Sequence, residues 1–219
     1  MSNEDSFITE VTEEVRRDRL FKIFRRYGWI AVLVVVLIVG GAALNEWRKA
    51  RVTAEAQAVG DAIILALESE DPSARAEALA ALDAGDNQSR NAVLGLMAAN
   101  AAFDSGDVEG AVTKLENLAN NATMPTPFRD LATIKASILG AQSLPPEERI
   151  ARLNSLSLGS SAFRLIAMEQ IALAEIELGK SDAAIAILRD IVADASVTQD
   201  LRRRASQLIV ALGGALTAG

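Results

Sequence analysis

The chain has 219 residues with 29 carboxylates against 22 lysines and arginines, a formal net charge of −7, and neither cysteine nor histidine. Those absences exclude disulfides, thiol chemistry, Ser-His-Asp and Cys-His nucleophilic sites, and every zinc site built on His or Cys. The acidic balance repels phosphate backbones and so argues against nucleic acid as a partner.

Residues 1–26 form a charged tail in which six acidic and six basic side chains cancel, so the whole net charge belongs to residues 27–219. No charge falls between Arg26 and Glu46. The 19 residues from Tyr27 to Asn45 span about 28 Å as a helix, close to the roughly 30 Å of a bilayer's hydrocarbon core. Ile30 and the run Val32 to Val39 supply nine Ile, Leu or Val side chains, which favour insertion by about 3–5 kcal/mol. A secretory signal has a shorter apolar core and a shorter basic lead, so residues 27–45 read as an uncleaved transmembrane anchor. Tyr27, Trp29 and Trp47 stand at its two ends, as membrane-interface aromatics do. Arg16, Arg17, Arg19, Lys22, Arg25 and Arg26 precede the run, whereas only Arg48, Lys49 and Arg51 follow it closely. The positive-inside rule then predicts a cytoplasmic N-terminus and a periplasmic domain over residues 46–219, at the inner membrane of a bacterium.

Beyond the anchor, Ala, Leu, Ile, Glu and Arg dominate and β-branched alternation is scarce, which predicts an all-α domain. Clusters such as "ESEDPS", "DSGD", "NNATMPTP", "GAQSLPP" and "LGKSD" cut it into segments of helical length. Asp71 before Pro72, Thr126 before Pro127, and Pro146 ahead of Glu147 and Glu148 predict helix starts. The run "LRRRA" reads as a solvated helix face.

Spacing carries more than composition. "AAFDSGDVEGAVTKLENLANNA" (101–122) aligns without gaps on "AEIELGKSDAAIAILRDIVADA" (174–195), 73 residues later. Gly106 falls on Gly179, Ala111 on Ala184, Leu115 on Leu188 and Leu118 on Ile191. A second echo sets "FRDLA" (128–132) against "FRLIA" (163–167), 35 residues on, about half the longer offset. A period in the mid-thirties predicts a stack of two-helix hairpins. Gly106 and Gly179 would close each hairpin in the left-handed conformation, and Ala111 and Ala184 would mark the closest helix approach.

At these residues the chain resembles the tetratricopeptide repeat family. Ala99, Gly106, Ala111 and Leu115 match its hallmarks in one unit, and Ala172, Gly179, Ala184 and Leu188 match them in another. Residues 127–158 form a degenerate unit with "LPPEER" in place of the tight turn, residues 52–84 a weaker first unit, and residues 201–216 a capping helix. The usual Trp and Tyr positions are taken by Ala, Ile and Leu. A charged tail, one membrane helix and a degenerate repeat domain together resemble the ancillary (YfgM-like) subunit family of the SecYEG translocon. That resemblance implies a non-enzymatic adaptor of protein export, in contact with the translocon and periplasmic chaperones.

The repeat alignment turns Leu96, Asn100 and Phe103 of one unit, and Glu169, Leu173 and Glu177 of another, towards a partner-binding groove. A different function class remains open: an anchored scaffold or import receptor unrelated to the translocon, with its repeats in the cytosol. An enzyme is disfavoured, because the carboxylates form no acid–base or metal constellation and no Gly-rich phosphate cradle is present. No catalytic residue, metal, cofactor or small-molecule substrate is expected.

Overall fold

A computed structural model describes the backbone of residues 4–215, and the side chains from residue 25 onward, Ala31 excepted. Every regular element among the described residues is a helix. The chain divides into two compact units, Met1–Gln57 and Ala58–Gly219.

Helix α1 (Glu4–Leu67) contains the apolar run. All its described Ile, Leu and Val side chains between Ile30 and Val39 are exposed on the chain itself. Its most apolar 18 residues have a mean hydropathy of 2.4, and by length and composition this helix is able to cross a membrane.

The second unit begins with the last turns of α1 and continues through α2 (Pro72–Ala80), α3 (Gln88–Asp104), α4 (Val108–Asn120), α5 (Thr126–Leu139), α6 (Pro146–Ser157), α7 (Arg164–Glu177), α8 (Ser181–Ala193) and α9 (Gln199–Ala211). From α2 to α9 each helix packs against the next in sequence. Contacts of α5 with α3 and with α7 join helices one unit apart. That ladder of neighbours is the architecture of a hairpin stack.

The turns explain why the stack closes. Gly106 and Gly179 have φ of 87° and 74°, a region that side chains with a Cβ rarely adopt. After α3, the Asp107 N–H donates to the Ala102 carbonyl and the Gly106 N–H to Phe103, both at 2.9 Å. After α7, Lys180 donates to Glu175 and Gly179 to Ile176, again at 2.9 Å. These paired bonds satisfy the orphan carbonyls at each helix end and turn the chain back within three residues. The same closure ends α9, where Gly213 and Gly214 donate to Val210 and Ile209. Ala111, Ala184, Leu115 and Leu188 are then completely buried.

The middle hairpin is built differently. Gly140 has φ of −81° and leads into a 3-10 turn, Gly140–Gln142, before Pro145 and Pro146 restart the chain as α6. Helices α5 and α6 contact each other more sparsely than any other successive pair from α2 onward. The apolar side of α6 instead shares a core with both neighbours: Leu153 and Leu156 pack with Ile134, Ala167 and Ile171. Ser137, one short repeat offset before Ala172, is buried there, and its hydroxyl donates to the Thr133 carbonyl at 3.0 Å.

Helix starts follow the expected chemistry with one difference. Asp71 caps α2 by accepting from the Ser73 N–H, and α6 begins at Pro146. Thr126 is the first helical residue of α5 rather than its cap, because the extended Pro125 precedes it and its carbonyl receives the Phe128 and Arg129 N–H groups.

Candidate functional site

The six groove positions reach different environments. On α3, Leu96 is half-buried against the cluster of Ala92, Ala99 and Leu115, while Asn100 and Phe103 are exposed. Phe103 is 41% exposed, high for a phenylalanine in a repeat core. On α7, Leu173 is half-buried, Glu177 is exposed and Glu169 is only 6% exposed.

Glu169 and Leu173 line one cleft of about 490 Å³ between α7 and α9, together with Gln170, Arg204, Gln207 and Leu208. Glu169 offers this cleft an ion pair rather than a free carboxylate. Arg204 donates Nε and one terminal nitrogen to its two oxygens, both at 2.8 Å, a bidentate fork. The hydrogen bonds to the Glu169 carboxylate raise Arg204 above its ordinary pKa. Arg202, Arg203 and Arg204 are all exposed, as expected of a solvated face, and Arg204 in addition pairs with Glu169. The cleft is thus electrically compensated, with an apolar strip at Leu173 and Leu208 beside the amide side chains of Gln170 and Gln207. Such a lining suits main-chain amides and apolar side chains of a peptide better than an ion.

Glu177 does not join that cleft; it pairs with the buried Arg149 of α6. Leu96, Asn100 and Phe103 on α3 also lie outside its lining. A second cleft, of about 410 Å³, is bounded by α4, α5 and α6. Its charges are consumed internally: Arg152 bridges Glu116 and Glu148, Arg129 donates to the Ala119 carbonyl, and Asp130 accepts from Ser161. Among the described residues there is no group of three or more side chains suited to holding a metal.

The aromatic residues flanking the apolar run are all largely exposed. Arg26 lies over the Tyr27 ring and Arg51 over the Trp47 ring, each 5.9 Å from the centroid. Cation and ring thus sit together at either end of the apolar run, an arrangement compatible with an interface.

The inter-helix ion pairs were the feature that local patterning missed. Glu169 and Arg204 are 35 residues apart, the short repeat offset itself, and Glu116 and Arg152 are 36 apart. Opposite charges one period apart were the signal available.

No curated protein and no solved structure matches the chain significantly. A family model described as a tetratricopeptide repeat-like domain matches residues 22–164, well over half of the chain, and ends where α7 begins. The chain belongs to this tetratricopeptide repeat-like family and is, accordingly, a helical-repeat scaffold of the kind that binds proteins and is generally not catalytic.

Proposed function

We propose that the protein is a membrane-tethered, non-enzymatic adaptor of protein export. In this reading residues 1–26 are cytoplasmic, residues 27–45 cross a bacterial inner membrane, and the domain from residue 46 works in the periplasm. The anchor docks beside the SecYEG translocon, and the repeats hold a periplasmic chaperone or an emerging chain. The observation that carries the reading is the joining of a repeat scaffold to an exposed apolar run fenced by cations, six before it and three after. The cleft of Leu173, Leu208, Gln170 and Gln207 supports transient capture of a peptide segment.

The test is a mild-detergent pull-down of the full chain from native membranes, with partners identified by mass spectrometry. Translocon subunits above background are expected, and their absence overturns the export reading. Phe103→Ala with Leu173→Ala is expected to reduce chaperone recovery while helical content is kept. Unchanged recovery removes these residues from the groove. Glu169 is unsuited to this test, because replacing it unpairs Arg204.

A further inference from the structure

A separate face of the second unit carries an inference that does not depend on the export reading. At the end of α1, Ile63 and Ala66 turn inward and pack with Leu79, Ala98 and Ala101. On the opposite side of the same turns, Asp61, Ile64, Leu65 and Glu68 recur at the i, i+3, i+4, i+7 spacing and are all exposed. Ile64 is 60% exposed and Leu65 70%. The Glu68 N–H still donates to the Ile64 carbonyl at 3.1 Å, so Glu68 continues the helical turn. The result is an adjacent apolar pair with a carboxylate one turn to either side.

The surroundings are strongly anionic. Residues 58–87 hold seven carboxylates and a single base, Arg75, whereas residues 88–219 hold 14 against 12. The Arg75 Nε is buried without a partner. Among the described residues none of the seven carboxylates forms an ion pair. Glu68, Glu70 and Asp71 also stand at or just beyond the C-terminal end of α1, whose last turn has no basic residue. That end already bears the negative pole of the helix dipole, so carboxylates there are unfavourable in the unbound chain. Both the exposed leucine and isoleucine and the uncompensated charge are relieved by one kind of occupant.

We propose that Asp61, Ile64, Leu65 and Glu68 form a docking face for a cationic amphipathic helix of a partner protein. The complement of this face is a helix with Lys or Arg at i and i+7 and apolar side chains at i+3 and i+4. Its two cations then lie about 10.5 Å apart along the axis, matching Asp61 and Glu68. A second copy of the chain is disfavoured, since it sets the two carboxylates of one face against two like charges, within segments 58–87 that each carry seven carboxylates and one base. A bilayer is disfavoured because both flanking carboxylates would have to be dehydrated, next to lipid headgroups that are often themselves anionic.

The chain has no cysteine, so Ala58→Cys, on the exposed side of the same helix, takes one environment-sensitive fluorophore in the full chain. The protein is held in zwitterionic nanodiscs and titrated with an 18-residue helical peptide of the complementary pattern, empty discs being subtracted. Saturable binding is expected, weakening about fivefold between 50 and 500 mM salt. Asp61→Lys with Glu68→Lys is expected to weaken it at least about tenfold. Leu65→Ala is expected to weaken it about fivefold, and Asp182→Lys on α8 to leave it unchanged. Equal binding by the Asp61→Lys/Glu68→Lys variant overturns the proposal, as does no binding at all. A fluorophore shift that follows protein concentration without peptide assigns the face to a second copy. A shift on adding anionic lipid alone assigns it to the membrane. Either result also overturns the proposal.

Discussion

The hairpins α3–α4 and α7–α8 and the middle pair α5–α6 solve one packing problem by different means. The outer pairs use a left-handed glycine, two reverse hydrogen bonds and a small residue where the helices meet. In the middle pair Gly140 is not left-handed, the connection is a 3-10 turn followed by two prolines, and charged tethers supplement the apolar core. Arg149 of α6 reaches Glu177 on α7, and Arg152 reaches Glu116 on α4. Closure is local in the outer pairs, written within a few residues, whereas α6 is tied to α7 and α4 by charges 28 and 36 residues away.

The largest expected effect separates charge from volume in the middle pair. Arg149 is 4% exposed, its Nε has no partner, and Glu177 is half exposed. Arg149→Ala is expected to cost about 2–3 kcal/mol, mostly through lost packing of the stem, since Glu177 can be rehydrated. Arg149→Met should recover most of that cost or exceed wild type, because it keeps volume and removes a buried unsatisfied donor. Urea unfolding of the detergent-solubilised full chain, followed by circular dichroism, decides it. Equal loss in both variants would make the ion pair itself the tether.

Next in size, Gly106→Ala and Gly179→Ala should each cost about 1 kcal/mol, because a Cβ is forced into the left-handed region with no steric obstacle nearby. Gly140→Ala meets a different obstacle, the Leu144 side chain at 2.7 Å, and no backbone penalty of this kind. A Leu144→Ala background should therefore relieve the Gly140→Ala cost, whereas no side-chain truncation should relieve the other two.

The smallest effect is pH-dependent. Asp194 is held at about 2, first by the Ser196 hydroxyl, then by Arg164 and the Ser196 N–H. A depressed carboxylate contributes stability that is present above the unfolded value near 4 and is lost as pH falls towards 2. Asp194→Asn should flatten the decline in stability over that window and leave the slope above pH 5 unchanged. An unaltered acid limb, measured by thermal melts at successive pH values, would show that Asp194 does not contribute to it.

Legibility in the sequence divides along the same line. Gly106 and Gly179 were legible because a reverse turn needs particular residues at adjacent positions, and the 73-residue echo repeats them. The degenerate middle was legible as a departure, since "LPPEER" cannot close a tight turn. The inter-helix carboxylates that meet Arg149, Arg152, Arg164 and Arg204 were not, being 28 to 36 residues away. The run "LRRRA" is solvated throughout its arginines, and nothing in it marks Arg204, rather than Arg202, as the one the fold presents to the buried Glu169. Glu169 was likewise placed on the right helix, but its burial depends on a helix that arrives a full unit later.

The reduced meeting of α5 with α6 has a consequence for cooperativity. In a stack where each unit is stabilised by its neighbours, unfolding is shared only as far as the interfaces are strong. The sparse direct contact between α5 and α6 predicts that residues on either side exchange their amide protons as separate blocks, unless the shared core of Ile134, Leu153 and Ala167 couples them, and native-state hydrogen exchange distinguishes the two outcomes.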